Sequence, residues 1–168
     1  MTNLKNYLEA KVNSRGNKNL NYLSSFFSET ELSILSDKTI SIVGTNGKSS
    51  TANNIAMLLK GLDKSYIAFT SPHLFDYKER MTAHKDLNFN EYIQYLENFE
   101  LKNNINLGYF ESTFLIAAKA FLHNDMDYFI CEAGIGGKYD TTSVIQSRTV
   151  VLTSIGLDHT DILGNKIT

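Results

Sequence analysis

The chain has 168 residues, 42% of them hydrophobic and 20% charged, with 16 Lys and Arg against 18 Asp and Glu for a net charge of −2. That is enough chain for one domain with a substantial core and barely enough for two. The absence of a basic excess excludes a binder of nucleic-acid backbones, and no apolar run in the sequence reaches membrane-spanning length. The first residues, Met-Thr-Asn-Leu-Lys-Asn, lack the apolar core of a secretory leader, and Cys131 is the single cysteine. It cannot form an internal disulfide, so the expected setting is a reducing cytoplasm. Within Tyr-Phe-Ile-Cys, Cys131 reads as a small buried strand residue.

Residues 2–12 and 18–36 read as helices, with Leu4, Tyr7 and Leu8, then Leu20, Leu23, Phe26 and Phe27, on apolar faces. Asn13-Ser14-Arg15-Gly16-Asn17 between them reads as a turn. A strand over 39–43 breaks into a glycine loop, followed by a helix over 48–60 with Ile55, Leu58, Leu59 and Leu62 on one face and Gly61 as its stop. A second strand spans 65–69. Residues 70–88 form a polar, irregular stretch of the length usually reserved for functional or disordered loops. Helices follow over 89–103 and 110–123, and the apolar runs 128–131 and 149–155 read as buried strands. Strands alternating with helices predict an α/β fold, a mostly parallel sheet covered on both faces.

Ligands of such sheets bind beyond the carboxyl ends of the strands, and polar residues collect there four times. After the first strand comes Gly44-Thr45-Asn46-Gly47-Lys48-Ser49-Ser50. Converging loop amides, a lysine that reaches outer phosphates and a hydroxyl for a Mg²⁺ shell make this a candidate nucleotide-triphosphate loop. It is two residues shorter than the usual Walker pattern, and a plain glycine turn with a solvated lysine is the alternative. Thr70-Ser71-Pro72-His73 follows the second strand, Glu132 and a glycine run ending in Asp140 follow the third, and Ser154-Ile-Gly156-Leu-Asp158-His159 follow the fourth. A carboxylate closing a strand beside a phosphate loop suits a metal-holding or water-orienting acid, and a neutral His159 imidazole is a possible metal ligand. Glu111 suits the positive N-terminus of its helix, and Phe110 on composition alone reads as core.

These clusters, in this order, resemble the ATP-binding domain of the folylpolyglutamate synthase and dihydrofolate synthase family, within the Mur ligase superfamily. The segments that carry the resemblance are Gly44-Thr-Asn-Gly-Lys-Ser-Ser, Thr70-Ser-Pro-His-Leu, Lys78-Glu-Arg-Met, Tyr109-Phe-Glu-Ser-Thr, Glu132-Ala-Gly-Ile-Gly-Gly-Lys-Tyr-Asp and Thr153-Ser-Ile-Gly-Leu-Asp-His-Thr-Asp-Ile-Leu-Gly. The resemblance implies an ATP- and Mg²⁺-dependent ligase: a folate or dihydropteroate carboxylate is activated as an acyl phosphate and joined to glutamate. It assigns the ATP phosphates to Gly44–Ser50, with Lys48, Glu132 and His159 as catalytic groups and Ser71, Glu132 and His159 as metal ligands. It assigns the pterin-bearing substrate to Pro72, His73, Arg80, Phe110 and Asp140.

Ser49 stands where this family usually has Gly, Gly108 where Thr is frequent, and Thr142-Ser143 where an Ala/Thr-Asn pair is usual. The resemblance covers residues 44–164 and implies N-terminal helices over 1–37 packed on a partial ATP-binding domain over 38–168. In the family, a lysine-bearing helix, the rest of the sheet and a glutamate-binding domain follow. The expectation is therefore a ligase portion inactive alone, with self-association through an exposed sheet edge. A stand-alone nucleotide-binding module and a small P-loop phosphotransferase are the alternatives.

Overall fold

The computed structural model describes residues 3–12 and 19–166, so the turn expected at 13–17 lies outside the described residues. Helix α1 (Leu4–Glu9) starts at Asn3, whose side chain caps the Asn6 N–H, and buries Leu4, Tyr7 and Leu8 at helical spacing. The single helix expected over 18–36 is instead two, α2 (Leu20–Ser24) and α3 (Glu29–Lys38). The break has a local cause. Ser28 and Glu31 form a reciprocal capping box that starts α3 afresh. Phe26 then turns edge-on between Phe27 and Phe99, at 5.1 Å from each.

Strand β1 (Thr39–Val43) runs into α4 (Lys48–Gly61). The buried stripe of α4 is Ala52, Ala56 and Leu59, with Ile55 beside it; Leu58 and Leu62, expected on the apolar face, are exposed. Two alanines at i and i+4 let the helix lie close on the sheet, which the larger side chains would prevent. Strand β2 (Tyr66–Phe69) follows. The stretch 70–88 is not irregular throughout: a 3₁₀ turn over Tyr77–Arg80 leads into a short strand β3 (Met81–Ala83). A second 3₁₀ turn, Phe89–Tyr92, opens α5 (Ile93–Asn103), and α6 (Tyr109–His123) is buried from Glu111 to Phe121. Strand β4 (Tyr128–Glu132), strand β5 (Thr149–Leu152), shorter than expected and mostly exposed rather than buried, and the one-turn helix α7 (Thr160–Leu163) follow.

The strands form one sheet in the order β3-β2-β4-β1-β5, parallel except for β3, which pairs antiparallel with β2. Alternation along the strands sends Ile67, Phe69, Phe129 and Cys131 to one face and Ile42, Tyr66, Ala68 and Ile130 to the other. The first face carries the large core, built with α1, α2, α3, α5 and α6; the second is covered by α4. Phe114, Phe121 and Phe129 are fully buried, each burial stabilising by roughly 1.5–3 kcal/mol.

The N-terminal helix is tied to the segment that precedes α6 by a largely buried ionic cluster. Glu100 accepts from Lys11 Nζ at 2.5 Å, from the Leu107 N–H at 2.6 Å and from the Tyr7 hydroxyl at 3.0 Å. Burial first, then the Glu100 charge, pushes the Tyr7 phenol far above its ordinary value.

Candidate functional site

The loop after β1 is shaped by its neighbour at the end of β5. The Thr45 N–H donates to Ser154 O at 2.6 Å, and Thr45 Oγ1 both accepts from the Gly156 N–H at 2.9 Å and donates to Gly156 O at 3.1 Å. Ser154 Oγ clasps Asn46 twice, accepting from its N–H and donating to its carbonyl, both at 3.1 Å. Gly44 passes so close that a Cβ there would overlap Thr153 Oγ1 and lie 2.9 Å from Ser154 O, at a φ of +138°. Only glycine satisfies both conditions. Gly47, at φ +82°, turns the chain into α4.

These bonds decide which amides face an anion. The Thr45 and Asn46 N–H groups are committed to Ser154. The first helical bond of α4 runs from the Thr51 N–H to Gly47 O, so the Lys48, Ser49 and Ser50 amides have no intrahelical carbonyl to serve. They mark the positive end of a 14-residue helix, the arrangement that binds phosphate. Lys48 Nζ folds over the loop, donating to Gly44 O at 2.9 Å and Thr45 O at 3.1 Å.

Glu132 closes β4 with its side chain almost fully buried, 2% exposed. Ser49 Oγ donates to one of its oxygens at 2.9 Å and the Ser71 N–H to the other at 3.0 Å. Burial pushes the carboxyl above its ordinary pKa, against the opposing pull of the Ser71 N–H, the Ser49 hydroxyl, Lys48 and Arg80. Thus Glu132, Ser49 and Ser71, from three separate strand ends, meet. His159 does not join that hydrogen-bonded group. It heads α7 in a left-handed conformation, half-exposed beside Asp158, and lines with Lys48, Gly44 and Gly156 a cleft of about 390 Å³.

The remaining predicted residues fall into two places. His73 and Arg80 meet each other and Tyr109: Arg80 Nε donates to His73 Nδ1 at 2.8 Å, and the guanidinium lies 5.1 Å from the Tyr109 ring centre. Pro72, exposed, follows Ser71 through a cis peptide. Phe110 is half-buried, edge-on to Phe69 at 5.3 Å, with its ring against Gly134. Asp140 has both oxygens occupied by its own loop. One accepts from the Gly134 and Ile135 N–H groups at 3.1 Å each, the other from the Thr142 N–H at 3.0 Å and its hydroxyl at 2.7 Å. Burial raises the Cys131 thiol well above its ordinary pKa, which leaves it unreactive.

Sequence reasoning placed Ser154 in the fourth strand-end cluster without its role as a clasp on Asn46, and it missed Thr45 as a hydroxyl donor and Glu79. Glu79 accepts from the Leu74, Phe75 and Asp76 N–H groups at 2.7–2.9 Å and so closes the 70–80 loop on itself. The Asp76-Tyr-Lys-Glu79 spacing of a capping box was the available signal.

Comparison with known proteins adds to this geometry. The family profile of the Mur ligase middle domain matches residues 42–166. The dihydrofolate synthase/folylpolyglutamate synthase of Buchnera aphidicola subsp. Schizaphis graminum is 37% identical over 166 residues, which cover 94% of this chain and 38% of that protein. Among solved structures, E. coli FolC in complex with DHPP and ADP matches with a TM-score of 0.81 and 30% identity, over 95% of this chain and 39% of that one. A bifunctional folylpolyglutamate synthase/dihydrofolate synthase with Mn, AMPPNP and L-glutamate bound matches with a TM-score of 0.77 and 31% identity, over 95% and 39%. The chain therefore spans about two-fifths of these relatives.

Proposed function

This chain belongs to the Mur ligase middle-domain family, and from that premise we propose that it forms the ATP-binding part of a ligase joining glutamate to a folate or dihydropteroate carboxylate. The relatives that share its fold include an ADP complex and a Mn–AMPPNP–glutamate complex of this enzyme class. The observation that carries the reading is the buried Glu132 carboxylate, held between Ser49 of the phosphate loop and Ser71 of the next loop.

ATP is the nucleotide and Mg²⁺ the ion this site suits. Among the described residues no cluster of three His, Cys, Asp or Glu side chains is preformed for a metal. That fits Mg²⁺, which takes one or two carboxylates and completes its shell with phosphate oxygens and water. Glu132, with Ser49 and Ser71 beside it and His159 at the neighbouring cleft, would hold the ion, which supplies charge neutralisation at the transferred phosphoryl group.

The Lys48–Ser50 amides hold the phosphates. Lys48 Nζ exchanges the Gly44 and Thr45 carbonyls for phosphate oxygens, bringing a full positive charge to the oxygens where negative charge develops. The substrate carboxylate attacks the γ-phosphorus, ADP leaves, and the glutamate amine displaces phosphate from the resulting acyl phosphate. The 70–88 loop, carrying Pro72, His73 and Arg80, with Phe110 and Asp140, forms the acyl-substrate side. Asp140 acts there by shaping the Gly134–Thr142 loop.

Calorimetric titration with Mg·ATP tests the assignment. Lys48→Ala abolishes the binding seen with the unaltered chain; equal affinity in the two proteins rejects the phosphate-loop reading.

A further inference from the structure

Asparagine followed by glycine occurs once in the sequence, at Asn46-Gly47 in the loop between β1 and α4. Both residues are exposed. Among the described residues Asn46 is hydrogen-bonded through its backbone alone, to Ser154 Oγ, so its carboxamide is unbonded. The Gly47 N–H has no acceptor among the described residues, and a Cβ on Gly47 would meet nothing within 4 Å. The Asn46 amide carbon and the next backbone nitrogen therefore face each other with no side-chain bond to break, no branched neighbour and open space around the turn. Elsewhere, Asn103 and Asn124 give their carboxamides to backbone carbonyls, and Asn104 precedes the branched Ile105. Asn53 and Asn54 lie within α4, where side chains lean toward the helix N-terminus and away from the following nitrogen.

The electrostatics of the loop favour a reaction between these two groups. The nucleophile is the deprotonated Gly47 nitrogen, and it stands just ahead of the Lys48, Ser49 and Ser50 amides, which have no intrahelical carbonyl to serve. The positive helix end and the Lys48 ammonium, 2.9 Å from Gly44 O, stabilise negative charge on that nitrogen and on the oxygen of the tetrahedral adduct. Ser154 acts in the opposite direction. Its hydroxyl holds the Asn46 N–H and carbonyl, both at 3.1 Å, and so fixes the backbone that must turn for the two atoms to meet.

We propose that Asn46 is a modification site, converted spontaneously to aspartate and isoaspartate at a rate that the Ser154 clasp holds down. The Gly47 nitrogen, having given its proton to water, bonds to Asn46 Cγ. The Cγ–Nδ2 bond then breaks, and ammonia leaves with a proton taken from water, closing a five-membered imide. Water opens that ring at Cγ to give aspartate or at the backbone carbonyl to give isoaspartate. Either product adds a carboxylate beside the Lys48–Ser50 amides, where it repels phosphate. That last consequence rests on the ligase reading; the conversion does not.

The test incubates the whole chain at mildly alkaline pH and follows each asparagine by peptide mapping with mass spectrometry. Asn46 converts ahead of every other asparagine. Ser154→Ala, shown to be folded by a thermal melt, converts it about fivefold faster, the factor expected when one hydrogen-bonded restraint is lost. An intact Asn46 after other asparagines have converted overturns the proposal. So does an intact folded chain at a time when the chain in guanidinium has converted Asn46, or an equal or slower rate in Ser154→Ala. Mg·ATP titration separates the two readings. Asn46→Asp binds at least about tenfold more weakly than the wild type, the effect of one added negative charge at an anion site. A wild type that binds no Mg·ATP refutes the ligase reading and leaves the modification site standing, whereas wild-type affinity in Asn46→Asp overturns the stated consequence for the nucleotide.

Discussion

Gly44→Ala is the sharpest perturbation of the proposed phosphate loop. Two costs add. At φ +138° an alanine carries backbone strain of about 1–3 kcal/mol. Its Cβ would also overlap Thr153 Oγ1 and approach Ser154 O to 2.9 Å, an overpacking cost of about 1–3 kcal/mol. The central sum is about 4 kcal/mol. If the loop holds its shape, the whole fold bears that cost and the melting temperature drops by roughly 8–16 °C for a domain of this size. If the loop moves instead, the Thr45–Ser154 bonds break, the amides diverge, and the same energy appears as a loss of roughly 10³-fold in Mg·ATP affinity. Calorimetry and a thermal melt on one sample therefore share a single total. Adding Thr153→Ala removes the hydroxyl clash but neither the Ser154 contact nor the strain, so the double variant recovers only part. A Gly44→Ala protein with wild-type melting and wild-type affinity refutes the close-approach reasoning.

Two further outcomes follow from side chains away from the Gly44–Ser50 loop. Burial raises the Glu31 carboxyl, but Lys119 and the Ser28 N–H outweigh it and hold the pKa below the ordinary value. Its contribution is therefore complete above the usual carboxylate range and lost as pH falls through the depressed pKa. Glu31→Gln leaves the buried Lys119 ammonium unpaired, costs about 2 kcal/mol at neutral pH and flattens the acid limb of the stability curve, as urea melts at several pH values will read; an unchanged acid limb rejects the pair. Glu79→Ala unties the 70–80 loop, so the Leu74, Phe75 and Asp76 amides exchange with deuterium faster while those of β2 do not; equal protection in the variant shows that the carboxylate does not hold the loop.

What the sequence made legible was local. The run Thr39–Val43, the glycine turn and the helix from Lys48 are specified by neighbouring residues, and each boundary lies at or within a residue of where the pattern puts it. The errors have non-local or competing causes. The Ser28–Glu31 capping box outcompeted a continuous apolar face and split one expected helix into two. Strand β3 has three residues and exists because β2 offers its edge: Ile67 pairs with Ala83 and Phe69 with Met81, partners that periodicity in 81–83 cannot reveal. On α4 Ile55 and Leu59 of the expected stripe do face the core, but Leu58 and Leu62 are exposed and Ala52 and Ala56 complete the buried face. The candidate site divided in the same way. Residue types at strand ends named Lys48, Ser71 and Glu132, whereas the Ser154 clasp on Asn46 joins groups 108 positions apart and carries no signature in either segment.

Strand order explains why these distant segments meet. In sequence the phosphate loop, the 70–80 loop, the glycine run and the Ser154 segment follow β1, β2, β4 and β5. In space the order is β2-β4-β1-β5, with Ile42 opposite both Glu132 and Val151, and Phe69 opposite Cys131, so the four carboxyl ends finish nearly level. Glu132 thus emerges between the loops of its two neighbours and is bonded by one residue from each, Ser49 and Ser71. Ser154 emerges beside β1 and binds the front of the same loop. An isolated carboxylate at that depth would be prohibitively desolvated; here two donors offset part of the cost, and the rest is visible as the raised Glu132 pKa. Lys48 and Arg80 supply part of the opposing charge, and a buried carboxylate of raised pKa at a strand end is a candidate for the proposed metal-holding role. The sheet order, more than any one motif, makes a short glycine loop one wall of the proposed nucleotide site.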